Sequence, residues 1–565
     1  MTNILAFNIT HDSSVSYLEN GILKFFCKEE RVSGVKRDNH PFKSLDIFNS
    51  LGYDPDHILY LTPSNSEPNI YHTYENYIRK FFNKNLENYS NLNHHSCHAS
   101  LAFYNSGYEE AVIVVIDRNG SICFVDGNPI AREAESIYIG NRKKSLQPIY
   151  KNFYLESDES FRSDIEKKIR NYYPYCDVYS RSSYGITTVY EAATTLIGQN
   201  PLDNGKTMGL SSYCSEKNFD ELFYNGFADS KFFVKDLMHS HPQFSDLGTC
   251  FFGEQENITR DVNIENYSYY AKRAKQVQTK TQIESLNLIK KYTEKTGIKN
   301  VCVVGGYGLN VIANNFYLKN LPDIDFYFEP CSDDTGVSLG GAMMKHFELT
   351  GKCPLKNKNN FYHYYNSDET IQVDNSLNIT KKRTNIDEVC DLLINQKSVA
   401  IFEGCPESGP RALGHRSILF DSRNDNAKNI VNKIKKREWY RPFAGVILQE
   451  DFEEYFYTEG LQKSEYMTIS FDAKDNAKNI LSGIIHIDNT CRIQTVSDGF
   501  LYKLLKLFKS KTQCPALLNT SFNLAGKPLV QTKQNAVDTF NTSLLDCLFF
   551  VDENIIYKKT RNKLD

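Results

Sequence analysis

Three clusters in this 565-residue chain have residue types and spacings that could do chemistry. The tightest is Asn93-His94-His95-Ser96-Cys97-His98-Ala99. His94 and His98 stand four apart, so on a helix both imidazoles face one way and can share a cation. His95 takes the place where the metalloprotease H-E-x-x-H pattern has its Glu, so that chemistry is absent. A four-ligand site needs partners from elsewhere. Asp117 at a predicted strand end and the Asp333-Asp334 pair are the candidates. Two imidazoles and two carboxylates suit a divalent first-row metal, and ligand type does not separate iron from zinc or manganese. A helix start with incidental histidines is the competing account.

The second cluster is Gly305-Gly306-Tyr307-Gly308-Leu309-Asn310, between a predicted strand and a predicted helix. Glycines let backbone amides approach phosphate, and a helix N-terminus favours an anion. The pattern is neither G-x-G-x-x-G nor a Walker loop, and most such turns are structural. Gly205-Lys206-Thr207 resembles a Walker ending, but the required earlier glycine would fall at Asn200. The third cluster runs from Gly404 to Ser417 and carries Gly409-Pro410-Arg411 and His415-Arg416. It is followed by Lys433–Phe443, Arg492–Val496 and Leu518–Asn523. Converging Arg and Lys with Ser, Thr and Asn donors suit phosphate-rich substrates. A solvated basic face accounts well for Lys433–Lys436 and poorly for Gly409-Pro410-Arg411.

The elements that must position these clusters read as α/β. Asn3–Ile9 and Ser14–Leu18 predict a hairpin around His11-Asp12-Ser13-Ser14, and Asn20-Gly21 turns the chain into Ile22–Cys27. Ser96–Tyr104 predicts a short helix before Gly107, Glu110–Asp117 a buried strand, and Tyr267–Lys295 a long helix stopped near Gly297. Val301–Val304 is a strand, with a helix expected from Leu309, and Asp333–Gly341 reads as a second Gly-rich turn. Residues 351–380 turn Asn/Lys-rich and aperiodic, a linker between a 1–350 domain and a 381–565 domain. The latter opens with helix Ile386–Asn395 and strand Ser398–Phe402.

Composition sets limits. Hydrophobic residues at 41% and charged residues at 24% fit a folded protein. A net charge of −4 argues against broad binding to polymeric nucleic acid or anionic membrane. No apolar run reaches the roughly 18–20 residues of a membrane span, and MTNILAFNITHDSS lacks the features of a signal peptide. Fourteen Cys without C-x-x-C pairs suggest reduced thiols and a cytoplasmic location. A homodimer is the default assembly.

Taken in order, HDSS, EERVSGVK, HHSCHA, YEAAT, GKTMGL, GGYGLN, SDDTGVSLGGAM, ESGPRALGHRS, KKREWYRPFAG, RIQTV and LNTSFN resemble the O-carbamoyltransferase family. The resemblance spans nearly the whole chain and is weakest near 130–180, 215–265 and 351–380. It implies an N-terminal, duplicated actin-like (ASKHA-type) domain. The C-terminal α/β domain would be similar to threonylcarbamoyl-adenylate synthases. It also implies two steps. Carbamoyl phosphate and ATP, with Mg(II), give carbamoyl-adenylate and pyrophosphate in the C-terminal domain. A hydroxyl of a small-molecule acceptor (sugar, natural product, nucleoside or nucleotide) then takes the carbamoyl group in the N-terminal domain, and AMP leaves.

Residue by residue, the resemblance assigns His94, His98, Asp117 and Asp334 to a metal, implied to be Fe(II), and His11 to the general base. It places Lys36, Lys206, Gly305, Gly306 and Asn310 on the nucleotide-contacting side. Arg411, Arg416, Lys435, Arg437, Arg441, Arg492, Asn519 and Asn523 fall on the activation site, with Arg411 and Arg441 as its catalytic charges. Arg118 and Asn119 replace small residues, Tyr307-Gly308 replaces Val-Ala, and His415 replaces Asn. These departures bear on acceptor shape, which 130–180 and part of 215–265 would set. Two other functions compete: tRNA threonylcarbamoylation, which net −4 disfavours, and a non-enzymatic nucleotide and metal sensor, which has no use for a second active site.

Overall fold

The computed structural model describes residues 2–63, 68–89, 93–118, 120–125, 128–155, 162–181, 185–216, 262–263, 265–355, 362, 371–372 and 379–559. Asn119, residues 217–261 and most of 356–378 lie outside that set, including much of the expected linker and of the expected acceptor region. Two compact units divide the chain. One is Met1–Phe25 with Asn39–Lys358, the other Phe26–Asp38 with Asn359–Asp565.

The first unit holds two sheets. Strands β1 (Asn3–Asn8) and β2 (Ser14–Glu19) form the expected hairpin, paired from Asn3↔Glu19 to Asn8↔Ser14. Asn20 and Gly21, both at positive φ, turn the chain into β3 (Ile22–Lys28). With β4 (His57–Leu61) and β5 (Glu87–Asn88) the order is β3-β2-β1-β4-β5. The second sheet comprises β6 (Glu110–Ile116), β7 (Ile122–Val125), β8 (Asn128–Asn141), β9 (Lys144–Leu155), β10 (Asp177–Arg181), β11 (Asn300–Val304) and β12 (Asp325–Phe328). Its order is β10-β9-β8-β6-β11-β12, with β7 on β8. In both sheets the central strand, β1 or β6, has an antiparallel partner on one side and a parallel one on the other.

Helix α1 (His94–Ser106) starts two residues before the expected helix and so carries both histidines of the H-x-x-x-H spacing. Gly107 closes it at φ 84. The long helix Tyr267–Thr296 ends at Gly297 as expected. The Gly-rich stretch at 333–341 needs correction as a turn. Only Asp333–Gly336 turn, and Gly340 and Gly341 lie inside helix α2 (Val337–Thr350). A Cβ on Gly340 would stand 2.0 Å from the Cys97 carbonyl oxygen. These glycines therefore let α2 lie against α1, offsetting the roughly 1 kcal/mol that each costs a helix interior. That contact brings Asp334 to the first turns of α1. No helix among the described residues is long and apolar enough to cross a membrane.

The second unit is built on one ten-stranded sheet. Its strands are β13 (Ile379–Arg383), β14 (Val399–Phe402), β15 (Arg416–Asp421), β16 (Ala444–Leu448), β17 (Phe456–Tyr457), β18 (Ser470–Ala473), β19 (Thr490–Val496), β20 (Ala516–Ser521), β21 (Cys547–Phe550) and β22 (Ile555–Lys559). The order is β13-β22-β21-β14-β15-β20-β16-β19-β18-β17. Helix Ile386–Ile394 begins where Asn385 accepts from the Glu388 amide. The Gly/Arg loop joins β14 to its antiparallel neighbour β15. Lys433 and Lys435 lie in the last turn of helix Ala427–Lys435, and Lys436, Arg437 and Arg441 between it and β16.

Candidate active sites

In the first unit, His94, His98, Asp117 and Asp334 are all buried, and one ligand atom from each lies within 4.8 Å of every other. His94 Nε2 is 3.4 Å from Asp117 Oδ2 and 3.5 Å from Asp334 Oδ1, and His98 Nε2 is 3.4 Å from Asp334 Oδ1. Tetrahedral ligands about 2.1 Å from a cation stand about 3.4 Å apart, so these donors fit one ion. His98 also has neither ring nitrogen hydrogen-bonded although it is wholly buried. An orphaned buried imidazole is costly unless something binds it.

The electrostatics agree. Burial disfavours the His94 charge, but Asp334 and Asp117 outweigh it and raise its pKa to about 10. Burial and Asp334 push the Asp117 carboxyl up, yet His94 and His98 win and hold it well below its usual range. A proton on His94 thus balances two carboxylates where a cation can replace it. Asp334, not Asp333, belongs to the four-residue group. The Asp334 carbonyl accepts from Asn8 Nδ2 at 3.1 Å, and Ser14 Oγ donates to the Thr335 carbonyl at 2.7 Å, tying its turn to the first hairpin.

His11 lies in that hairpin's turn with Nδ1 2.7 Å from Asp12 Oδ2, and its side chain is 32% exposed. Burial opposes its charge, but Asp334, Asp12 and Asp117 together raise its pKa to about 9. Beside it, Arg118 Nε stands 2.8 Å from Glu191 Oε2.

The residues expected to face nucleotide have other partners in the first unit. Gly305 sits at φ 89, and a Cβ there would stand 2.4 Å from the Ile116 carbonyl oxygen, so glycine is needed where the turn crosses β6. The Gly306 amide donates to Asp117 Oδ1 at 2.9 Å. Asn310 caps helix Val311–Asn320 and exchanges two hydrogen bonds with Gln278. Lys206 pairs with Asp203 at 3.0 Å and donates to Gln199. Lys36 belongs to the second unit, where its charge acts on Lys435.

In the second unit, Lys435 is buried and donates to the Ser521 carbonyl, to Ser521 Oγ at 3.1 Å, and to the Asn523 carbonyl and Oδ1 at 2.9 and 3.0 Å. Burial, then Arg437, Arg441 and Lys36, drive its pKa well below the usual lysine range. Arg437 is held by Asn432 Oδ1 at 2.6 Å and the Pro442 carbonyl at 2.9 Å, over the Phe443 ring. Burial, then Arg441 and Arg492, oppose its charge, and burial, then Arg411, opposes that of Arg492. A guanidinium does not give up its proton in proteins. The repulsion therefore persists until an anion relieves it. The Nε of Arg492 and the Oδ1 of Asn519 are buried without partners. Arg441 Nη1 stands 3.6 Å from Glu438 Oε2.

Arg416, expected in the anion-binding set, is held by the protein itself. Its fully buried guanidinium donates to the carbonyls of Glu403, His415, Gly404 and Gln531 and lies over the Phe402 ring. It pins the Gly/Arg loop. Glu407 helps, accepting from the Leu413 and His415 amides at 2.6 and 2.9 Å. Neither Glu407 nor Asn432 was legible in the sequence, because each acts through backbone or a neighbouring arginine. The contrast has a measurable consequence. Arg416→Ala is expected to cost roughly 3 kcal/mol or more in denaturant unfolding, because it strands buried carbonyls. Arg492→Met should instead raise the melting temperature of the ligand-free chain by removing one repelled charge.

Comparison with known proteins decides what these two sites belong to. Residues 59–343 match the carbamoyltransferase N-terminus model and residues 390–558 the carbamoyltransferase C-terminus model. The chain belongs to the carbamoyltransferase family. It is a transferase, and four of its buried residues lie together as a candidate metal site. Nodulation protein NolO of Bradyrhizobium diazoefficiens is 27% identical over 477 residues, covering 81% of this chain and 77% of that protein. An uncharacterized protein of Methanocaldococcus jannaschii is 27% identical over 558 residues, covering 95% of this chain and 96% of its own. Among solved structures, HypF in its phosphate- and nucleotide-bound form is 15% identical, with a TM-score of 0.37, covering 62% of this chain and 56% of that one. A likeness that loose says nothing of function.

Proposed function

We propose that this carbamoyltransferase makes carbamoyl-adenylate from carbamoyl phosphate and ATP in its second unit and transfers the carbamoyl group to a small-molecule hydroxyl in its first. The observation that carries the proposal is the crowd of mutually repelling cations in which half-buried Arg437, Arg441 and Arg492 surround buried Lys435. Cations held together against their own field need a polyanion, and two phosphorylated co-substrates supply one. Loss of phosphate from carbamoyl phosphate, with addition of water, leaves carbamate. A carbamate oxygen then attacks the α-phosphorus of ATP, the bond to the β-phosphate breaks, and pyrophosphate leaves. Asn519 and Lys435, fixed on and against β20, would orient the reacting groups.

In the first unit, His94, His98, Asp117 and Asp334 would hold a divalent first-row cation, Fe(II) by family resemblance. When bound, that cation supplies positive charge to polarise the carbamoyl group. A cation held by Asp117 and Asp334 would offset their pull on His11, leaving burial against Asp12 and making a neutral imidazole available as the base. The acceptor oxygen attacks the carbamoyl carbon, the bond to AMP oxygen breaks, and His11 takes the hydroxyl proton at Nε2, the nitrogen not facing Asp12. The shared plan of the two sheets supports a duplicated actin-like architecture for this unit.

Carbamoyl phosphate-dependent exchange of pyrophosphate into ATP tests the first step. Exchange that requires threonine and bicarbonate, or no exchange, would defeat the proposal. His11→Asn is expected to leave exchange intact and slow transfer by roughly 10²–10⁴-fold. Carbamoyl-adenylate should then accumulate, as rapid-quench mass spectrometry would show.

A further inference from the structure

The helix that carries both candidate metal histidines has no cap of its own. Asn93 precedes α1 with its side chain making no capping bond. The His94 amide instead donates to Ser121 Oγ at 3.1 Å, from the segment between β6 and β7. Ser121 is buried and its own amide donates to Glu133 Oε2 at 2.9 Å, on β8. Glu133 and Ser121 also share a backbone bond, and the Gly120 amide donates to the Glu133 carbonyl. The other Glu133 oxygen takes Lys151 Nζ at 2.5 Å, from β9, with both side chains fully buried. Lys151 Nζ also donates to Tyr138 OH at 2.6 Å, and that hydroxyl meets Ser96 Oγ at 3.1 Å.

Nothing in the transfer chemistry uses this ion pair, and burying two charges is expensive. A well-packed apolar pair would serve stability as well or better. Its bonds converge on one place, the first turn of α1. There Ser121 holds the His94 amide, Tyr138 holds Ser96, and Ser136 holds His95 Nδ1 at 2.7 Å. An uncapped first turn frays, and fraying there would let His94 swing away from Asp117 and Asp334.

We propose that Lys151, Glu133 and Ser121 are positioning residues for the metal site, a buried relay that caps α1 from the neighbouring sheet and fixes the His94 imidazole. The proposal rests on the reading of His94, His98, Asp117 and Asp334 as ligands. Outer partners of this kind set ligand orientation, and their loss typically costs 10–100-fold in metal affinity.

Co(II) titration of the full chain, followed by its visible absorption, tests the relay without recourse to turnover. Wild type is expected to bind one Co(II) with a four-coordinate spectrum. Absence of that spectrum in wild type would overturn the ligand reading itself. Given wild-type binding, Ser121→Ala should weaken Co(II) roughly 10–100-fold and alter the band, while carbamoyl phosphate-dependent exchange continues unchanged. The double variant Glu133→Leu/Lys151→Met should melt no lower than wild type yet show the same weakened binding. Glu133→Gln/Lys151→Met, which keeps an acceptor for the Ser121 amide but loses the lysine that fixes it, should recover part of it. Wild-type Co(II) affinity and spectrum in Ser121→Ala would overturn the relay, as would equal affinity in the two double variants.

Discussion

His98→Ala is expected to lose bound metal and abolish transfer while carbamoyl-adenylate formation continues at the wild-type rate. His98 is the candidate ligand that is wholly buried with neither ring nitrogen hydrogen-bonded. Truncation would therefore remove the proposed metal bond and no hydrogen bond. It also leaves Asp334 with His94 alone among the candidate imidazole ligands, at 3.5 Å. Metal content by elemental analysis, exchange, and carbamoyl transfer measured on one preparation separate the outcomes. Normal metal content in His98→Ala would sink the site. Lost exchange would mean that the two reactions are not divided as proposed.

Arg441→Ala is expected to lower exchange by on the order of 10²-fold or more, as is Arg411→Ala. Arg441 acts against the charges of Lys435, Arg437 and Arg492, so it stands at the centre of the repelling group. Removing it should ease the ligand-free chain and take away charge that the proposed adenylate-forming transition state would need. Slower exchange without lower melting temperature would mark Arg441 as functional. Unchanged exchange would make it a structural residue.

Local signals in the sequence found the elements well where they were local. The Asn20-Gly21 turn, the apolar run of β6 and the Gly297 stop each act within a few residues, and each element appears. Helix α1 was harder, since eleven of its thirteen residues are buried and no apolar stripe marks a face. Gly340 reads as a turn residue in sequence but serves a helix contact with Cys97, which only tertiary structure reveals. In the cationic site, Lys433 and Lys436 are exposed while Lys435 is buried, so one basic run holds two solvated charges and one desolvated charge. Arg411 and Arg416 share one motif but differ in environment. Arg416 spends its donors on carbonyls brought in by Glu403, Gly404 and Gln531, and sequence cannot show that convergence. The relay through Ser121, Glu133 and Lys151 is invisible for the same reason: its members are 12 and 18 residues apart, with no motif between them.

Residues Phe26–Asp38 belong to the second unit although they are threaded between two stretches of the first. Arg31 in that segment donates to the Gly409 carbonyl at 3.0 Å, inside the loop that bears Arg411. The polypeptide consequently crosses from one unit to the other three times, after Phe25, Asp38 and Lys358. A cut-and-join view of the molecule, with one severable bond between a front half and a back half, therefore fails. Expressing residues 381–565 by themselves discards Arg31 and Lys36 and yields a fragment missing a piece of its own body. A gene split at that point would have to carry the 26–38 stretch along, grafted or supplied in trans, before the back half could be judged on its chemistry.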